Sequence, residues 1–516
     1  MSEQGHIFDI AFIGSGIAST ATLAEVFRKL LNNGPTSKKL NIAVVEKNHE
    51  FWKGIPYGSR SSINALTITC VNDFIYEPER PAFFNWLKTN QATWATYYRE
   101  NGGLTAARWL KNNLPLIDQN DWDTVYIPRF IFGIYLQEIL LGLLKQVEEK
   151  QLAQITLIQA EAIDIDLEDG RLYNIELEHP NKILSHIISH KVVVATGSAP
   201  VNPVDELNSE QVTYVNDIYE PSVNQNIQKL SSALSESRNV EDRNVLIIGS
   251  NASSIELLYL LEGMPDIRKL INQVTVISPS GLLPYHISTE ALDAHPIPNL
   301  EKLKSEGNYT IQTLVDTAAL DLQLATKNGA NVAYIATVIS NALKLMGVLD
   351  EDAKKEFFGI HGMRLSNLFR RSGPEYKAAS QLLIDLQEVT FLKGKFITTS
   401  VAAHNGVILN YQETSSGIEK TYPSQFKVII NCSGSNNLNQ SSSRLIYNMV
   451  HKNIAKVNLS EKGFEVNEHF EAAPNLYVMG PLLGGNMNKL IHFWHLENAS
   501  RLMYLAPHLA GELLKE

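Results

Sequence analysis

The stretch Phe8-Asp9-Ile10-Ala11-Phe12-Ile13-Gly14-Ser15-Gly16-Ile17-Ala18-Ser19 decides the fold. Residues 8–13 form a short apolar run fit for a buried strand, and it stops at a glycine pair. Small residues follow, and then Leu23, Val26, Phe27 and Leu30 recur at helical spacing, predicting a helix over 17–31. The loop Asn-Asn-Gly-Pro-Thr-Ser-Lys-Lys breaks that helix, and a second apolar strand over 42–45 ends at Glu46. This order is a βαβ opening. A dinucleotide pyrophosphate needs a tight strand-to-helix turn, close backbone approach and a helix N-terminus whose free N–H groups face the anion. Gly14 supplies the turn, Gly16 the approach, and Ser19 is small enough to replace a third glycine in helix–strand packing. Glu46 is placed to accept hydrogen bonds from a ribose diol.

The pattern starts again at Val245. A strand ends at Gly249-Ser250-Asn251-Ala252-Ser253-Ser254, a helix follows over 254–261, and a strand ends at Ser278. The two turns are 249 − 14 = 235 residues apart, and two later strand-ending glycines, Gly434 and Gly197, are 434 − 197 = 237 apart. The near-equal offsets predict a duplicated architecture. The second turn is degenerate, with Asn251 in the place of the middle glycine and Ser278 in the place of the acid. Without an acid to hold a free 2′-hydroxyl, Ser278 or Ser280 is left to face a 2′-phosphate, which favours NADPH over NADH. Gly249, Asn251, Ser254 and Ser278 are the candidate NAD(P) contacts; a vestigial unit that binds nothing is the alternative.

Between the two openings a helix is expected over 131–150. A sheet follows from 155, turning at Asp169-Gly170, and a buried strand over 191–195 runs into Thr196-Gly197. Residues 222–243 read as a polar linker with a surface helix. After the second βαβ, residues 285–390 are largely helical (310–324, 330–345, 351–357 and 375–386) and form an insertion expected to carry specificity. A meander turning at Asn405-Gly406 and a strand ending at Cys432-Ser433-Gly434 close the unit. A helix over 488–514, interrupted near Pro507, is expected to end the chain. The expected fold class is α/β, with two Rossmann-like dinucleotide-binding domains in a glutathione-reductase-like arrangement. Residues 1–200 and 437–516 build the first, residues 201–436 the second.

At 516 residues the chain is long enough for two or three domains, and 44% apolar with 19% charged residues marks it as globular. A net charge of −11 without a basic face argues against nucleic acid as a partner. Two isolated cysteines, Cys70 and Cys432, exclude a CxxC redox pair and a four-thiolate metal site. They are expected to be buried hydrophobes. No cleavable leader and no run of 18 apolar residues is visible, so a cytoplasmic protein without a membrane span is expected. A small-molecule substrate is the expected partner, and a homo-oligomer stays open. His492 and His495 lie three apart in an expected helix, yet no third ligand is near, so no metal is expected. Arg364, Arg370 and Arg371 suit either a carboxylate or phosphate clamp or a solvated basic face.

Several blocks carry a resemblance: Trp52-Lys53-Gly54-Ile55-Pro56-Tyr57-Gly58, Phe84-Asn85-Trp86-Leu87, Ile127-Pro128-Arg129-Phe130-Ile131-Phe132-Gly133-Ile134-Tyr135-Leu136, Val194-Ala195-Thr196-Gly197, Asn431-Cys432-Ser433-Gly434 and Leu476-Tyr477-Val478-Met479-Gly480-Pro481. In order along the chain, they resemble the bacterial YdhS-like FAD/NAD(P)-binding family and, more distantly, the flavin-dependent amino-acid N-hydroxylases. The sequence departs from that pattern at Asn251 and at Gly484-Gly485. The resemblance implies FAD in the first domain, with Gly197, Gly480 and Pro481 beside it, Arg129 as a flavin or phosphate contact, and a helix from 486–488 aimed at the flavin pyrimidine. It also implies a monooxygenase: NADPH reduces FAD, and a hydroperoxyflavin oxidises a small amine or amino acid. A reductase without oxygen insertion and a non-catalytic flavin-binding sensor or assembly protein are the alternatives.

Overall fold

The computed structural model describes residues 7–33, 39–204, 212–286, 295–327, 332–368, 370–402, 406–495 and 498–515. Asn405 of the expected meander turn lies outside them.

Apolar strands buried on both faces need helices on both sides, and the chain meets this need twice. In the first sheet the parallel strands run in the order Ala153–Gln159, Leu40–Glu46, Ile7–Ile13, Leu184–Val194, Leu476–Val478, and Glu471–Ala473 closes the edge antiparallel. The second sheet repeats that order with Val389–Val401, Gln273–Ser278, Asn244–Ile248, Val428–Asn431 and Thr213–Val215, all parallel. Each sheet adds an antiparallel meander. In the first it pairs Glu161–Glu168, Leu172–Glu178 and the start of Leu184–Val194, turning where Asp169 and Gly170 both have positive φ. In the second it extends from Val389–Val401 through Val407–Glu413 to Glu419–Phe426. The duplication expected from the residue offsets is therefore present strand for strand.

Helix Ile17–Asn33 lies behind the first strand, packed against Arg129–Glu149 and Ala499–Leu513. Helix Arg129–Glu149 is the one described helix long and apolar enough to cross a bilayer. It buries Ile131, Phe132, Tyr135, Leu136, Leu140 and Val147 inside the protein.

Two expectations are corrected here. Helix Pro374–Asp385, assigned above to the insertion, is the crossover helix between two parallel strands of the second sheet and packs against Ala252–Glu262. The inserted helices proper run from Pro298–Glu306 to Gly362–Leu368 and build a core of their own around Leu314, Val315, Tyr334, Val338 and Phe357. The final helix is Ala499–Leu513 rather than 488–514, and it continues through Pro507. Its packing against Ile17–Asn33 buries Leu502, Leu505, Ala506, Leu509 and Ala510, and this tertiary burial outweighs the local cost of proline.

Candidate functional site

The parallel strands of each sheet end together, and the glycine turns sit at those carboxyl ends, where open α/β sheets take their ligands. Gly14 has φ +93°, and a β-carbon there would lie 2.5 Å from the Ala195 carbonyl oxygen. Only glycine fits. Its N–H donates to Val45 at 2.8 Å, while Ala195 N–H donates to Ile13 at 2.8 Å, so the turn is held by both flanking strands. Gly16 faces Gly54, whose own β-carbon would come within 3.0 Å of the Gly16 Cα. Ser19 is fully buried, and its hydroxyl donates to the Gly14 carbonyl at 2.6 Å, which closes the turn from behind. Gly480, at φ +95°, passes 3.5 Å from the Ala18 side chain when a β-carbon is built on it, so the last parallel strand delivers its loop onto the first turn of the helix. Pro481 begins the short helical turn that follows. Gly197 has φ +84° with open space around it.

Glu46 has a structural duty. One carboxylate oxygen accepts from the Ser15 N–H at 3.0 Å and its hydroxyl at 2.8 Å; the other accepts from the Asn48 backbone at 3.0 Å and side chain at 3.3 Å. Four donors match the roughly four acceptor sites of a carboxylate. A ribose diol binding here must take over or share some of those bonds.

The second turn copies this scheme. Gly249 has φ +99°, its β-carbon would lie 2.3 Å from the Cys432 carbonyl oxygen, and its N–H donates to Ile277 at 2.8 Å. Ser250 stands where Ser15 stands (250 − 15 = 235), and its hydroxyl bonds Ser278 at 2.9 Å as Ser15 bonds Glu46. Ser278 is buried and also receives the Gly281 N–H at 3.0 Å, whereas Ser280 is exposed. Asn251 precedes helix Ala252–Glu262 in an extended conformation and makes no side-chain cap. Ser254 is fully buried with a hydroxyl that lacks a partner.

Arg129 is drawn to the second unit. Its Nη2 donates to Ser61 at 3.0 Å and to Glu256 on helix Ala252–Glu262. Burial opposes the guanidinium charge, and the nearby Glu256 carboxylate more than restores it, leaving the pKa above its usual value. The same helix holds Glu262, which takes a two-bond grip from Arg108, with the Nη1 contact at 2.8 Å. Tyr376 on the neighbouring crossover helix accepts from the Leu66 N–H at 2.8 Å and donates to its carbonyl at 3.1 Å. These contacts fix how the two units face each other.

A family model described as FAD-NAD(P)-binding matches residues 11–199. Proteins of Mycobacterium bovis and Mycobacterium tuberculosis, both named as uncharacterized, are 37% identical to this chain over 512 residues, 98% of it and 95% of them. The chain belongs to their family. Among solved structures it is similar to the FAD-bound cadaverine monooxygenase of desferrioxamine biosynthesis from Erwinia amylovora (TM-score 0.57, 14% identity, 99% of this chain and 95% of that one). It is likewise similar to an ornithine N-hydroxylase of Kutzneria sp. 744 (0.56, 13%, 98% and 99%) and to L-lysine 6-monooxygenase of Pseudomonas syringae (0.54, 13%, 98% and 99%). At these identities the likeness is one of fold: two dinucleotide-binding units in an FAD/NAD(P)-binding protein.

The C-terminal segment of this family member departs from the expected helix. Asn486–Met487 and His492–Phe493 pair as a hairpin, so His492 and His495 do not share a helix face. The cause is local amide chemistry: the Asn488 side chain accepts from Leu490 and Ile491 N–H, and the Asn486 amide donates to Phe464 and Leu483 carbonyls. Such side chains compete with a helix for its own backbone groups. The expected helix N-terminus at 486–488 is therefore absent, and a helix begins only after Asn498. No group of three or more His, Cys, Asp or Glu suited to a metal occurs among the described residues. Met487 and Trp494 of this hairpin pack into the core of the inserted helices. Arg364 pairs with Asp316 inside that insertion at 2.9 Å, and the Arg371 side chain lies outside the described residues. Ser15, Gly54 and Glu256 are the site residues the sequence reading missed; the recurrence of Ser15 as Ser250 is a signal that was available.

Cys70 and Cys432 are both buried and free. Burial pushes the Cys70 thiol up to about 11 and the Cys432 thiol well above its usual value. Thiolate is the reactive form, so neither suits thiol–disulfide exchange.

Proposed function

We propose that this protein is an FAD-dependent oxidoreductase that draws its electrons from NADPH, and a monooxygenase acting on a small amine or amino acid. The observation carrying the first half is the repeated turn: two strand–glycine–helix units with the same backbone hydrogen bonds to their flanking strands, each with a glycine that no other residue replaces. At both turns a β-carbon would collide with the carbonyl of the flanking strand, so Gly14 and Gly249 allow the tight strand-to-helix turn that a dinucleotide pyrophosphate needs. FAD, when bound, carries two electrons from NADPH to oxygen. The chain's own part is to bind and orient. Gly14, Gly16, Ser19, Glu46, Gly197, Gly480 and Pro481 would hold FAD; Gly249, Asn251, Ser254 and Ser278 would hold NADPH. The buried Arg129–Glu256 pair would keep the two units in register. The six successive sequence blocks support placement near the YdhS-like family.

The second half is supported by the fold likeness to three enzymes named for cadaverine, ornithine and lysine. The balance is NADPH, a proton, O₂ and the amine going to NADP⁺, water and the hydroxylamine: one oxygen atom ends on nitrogen and the other in water. The test is a panel of diamines and basic amino acids with NADPH in air, following NADPH and O₂ loss and product mass. Hydroxylated product at one mole per mole of NADPH supports the reading. Peroxide as the sole product across the panel contradicts it, and quinone reduction without oxygen would then favour a reductase. The absence of the middle glycine at Asn251 favours a third reading, a flavin-holding sensor that NADPH does not reduce.

A further inference from the structure

A cavity of about 590 Å³ is walled by residues 50–63, the segment whose Gly54 abuts Gly16, by the helices Arg80–Thr89 and Gln91–Asn101, and by one face of Arg129–Glu149. None of the turn residues Gly14, Gly16, Glu46, Gly249, Asn251 or Ser278 lines it. Its volume falls within the usual range for small-molecule sites.

Five aromatic residues line the wall: Tyr57, Trp86, Trp94, Tyr97 and Phe130. Tyr97 and Phe130 form a corner, their centroids 5.6 Å apart and their planes tilted by 54°. The Trp94 indole N–H donates to the Leu87 carbonyl at 2.9 Å, and Trp86 packs 5.3 Å from Tyr135, so both indoles are held in place. The Trp86 N–H donates to Glu138 at 2.8 Å, which fixes a carboxylate at the edge of the aromatic wall.

The charges in the cavity do not cancel. Glu50 faces Lys53 at 3.4 Å and also accepts the Ser59 N–H and hydroxyl, so that acid is neutralised. Glu138 has no cationic partner among the described residues. The cavity therefore joins a wall of aromatic rings to one uncompensated carboxylate. That combination attracts a positive charge carried on an apolar body and disfavours anions.

We propose that this cavity is a small-molecule site, separate from the dinucleotide turns, for an organic monocation such as an alkyl or aryl ammonium compound. The ammonium group sits toward Glu138 and Trp86, and the apolar body lies against Tyr97 and Phe130. The inference is independent of the proposed redox chemistry, because it is read by binding rather than turnover.

The test is calorimetry on the purified full chain with benzyltrimethylammonium and choline, and with 3,3-dimethylbutan-1-ol as the neutral isostere of choline. Choline should bind about tenfold or more tightly than its isostere. Glu138 is solvent-exposed, so Glu138→Gln should weaken both cations by about two- to fivefold and leave the isostere unchanged. Tyr97 is 50% exposed, so Tyr97→Leu should fold normally and weaken benzyltrimethylammonium selectively. No binding at 10 mM cation (about the weakest affinity calorimetry resolves for a millimolar-class site), equal binding of choline and isostere, or indifference to Glu138→Gln would each overturn the proposal. So would displacement of the cations by FAD, which would place them in the dinucleotide site.

Discussion

Replacing Gly14 by alanine separates backbone strain from steric overlap at the first turn. At φ +93° an L residue is strained, at a cost of about 1–3 kcal/mol. The new β-carbon would also lie 2.5 Å from the Ala195 oxygen and 2.9 Å from its carbonyl carbon. That peptide cannot retreat freely, since Ala195 N–H is bonded to Ile13 in the sheet. Overlap against fixed backbone adds about 1–3 kcal/mol. Gly197 provides the control: φ is +84°, but nothing lies within 4 Å, so Gly197→Ala carries the strain alone. Urea unfolding should give about 2–6 kcal/mol for Gly14→Ala and about 1–3 kcal/mol for Gly197→Ala, the difference being the overlap. A loss of 2 kcal/mol in the bound geometry corresponds to about a 30-fold weaker FAD affinity, read from the flavin-to-protein absorbance ratio. Gly249→Ala meets the Cys432 oxygen at 2.3 Å and should spare flavin content while raising the NADPH concentration needed for anaerobic flavin reduction. Equal stability and full flavin content for Gly14→Ala and Gly197→Ala would refute the reasoning, as would flavin loss in Gly249→Ala with NADPH use unchanged.

Three further outcomes are expected. Glu256→Gln strands the Arg129 charge and should cost about 2–4 kcal/mol in urea unfolding, with part recovered in the Arg129→Met/Glu256→Gln double variant; strictly additive losses would contradict the pairing. Ser278→Asp places a carboxylate beside Ser250 as Glu46 stands beside Ser15, and should shift the kcat/KM ratio toward NADH by about tenfold; an unchanged ratio counts against Ser278 as a cofactor determinant. Burial raises Glu375 to about 6 from 4.5, and one of its oxygens has no partner. A carboxyl with a raised folded pKa binds its proton more tightly when folded, so its contribution is present below about pH 4.5 and lost as pH rises through 6. Glu375→Gln should therefore gain about 1–2 kcal/mol above pH 7 and nothing at pH 4; a gain independent of pH would contradict this.

Much of the fold was legible because glycine turns are local. Gly14 and Gly249 announce a strand, a turn and a helix within a dozen residues, and their offset exposes the repeat. The pairing of Arg129 with Glu256 was not legible, because 127 residues separate them and no periodicity connects them. Residues 486–493 depart from the helix that the family resemblance implied, because Asn486 and Asn488 spend their side chains on the backbone of a hairpin. Helix Pro374–Asp385 looked like one more inserted helix; only its packing against Ala252–Glu262 shows that it serves the sheet.

The measurement that bears most directly on the account is the visible spectrum of the purified protein, recorded after folding with FAD and again after anaerobic addition of NADPH. The account predicts bound flavin bands that NADPH bleaches. A protein that folds yet takes up no flavin would contradict it at the first turn, and a flavin that NADPH and NADH both leave oxidised would contradict it at the second.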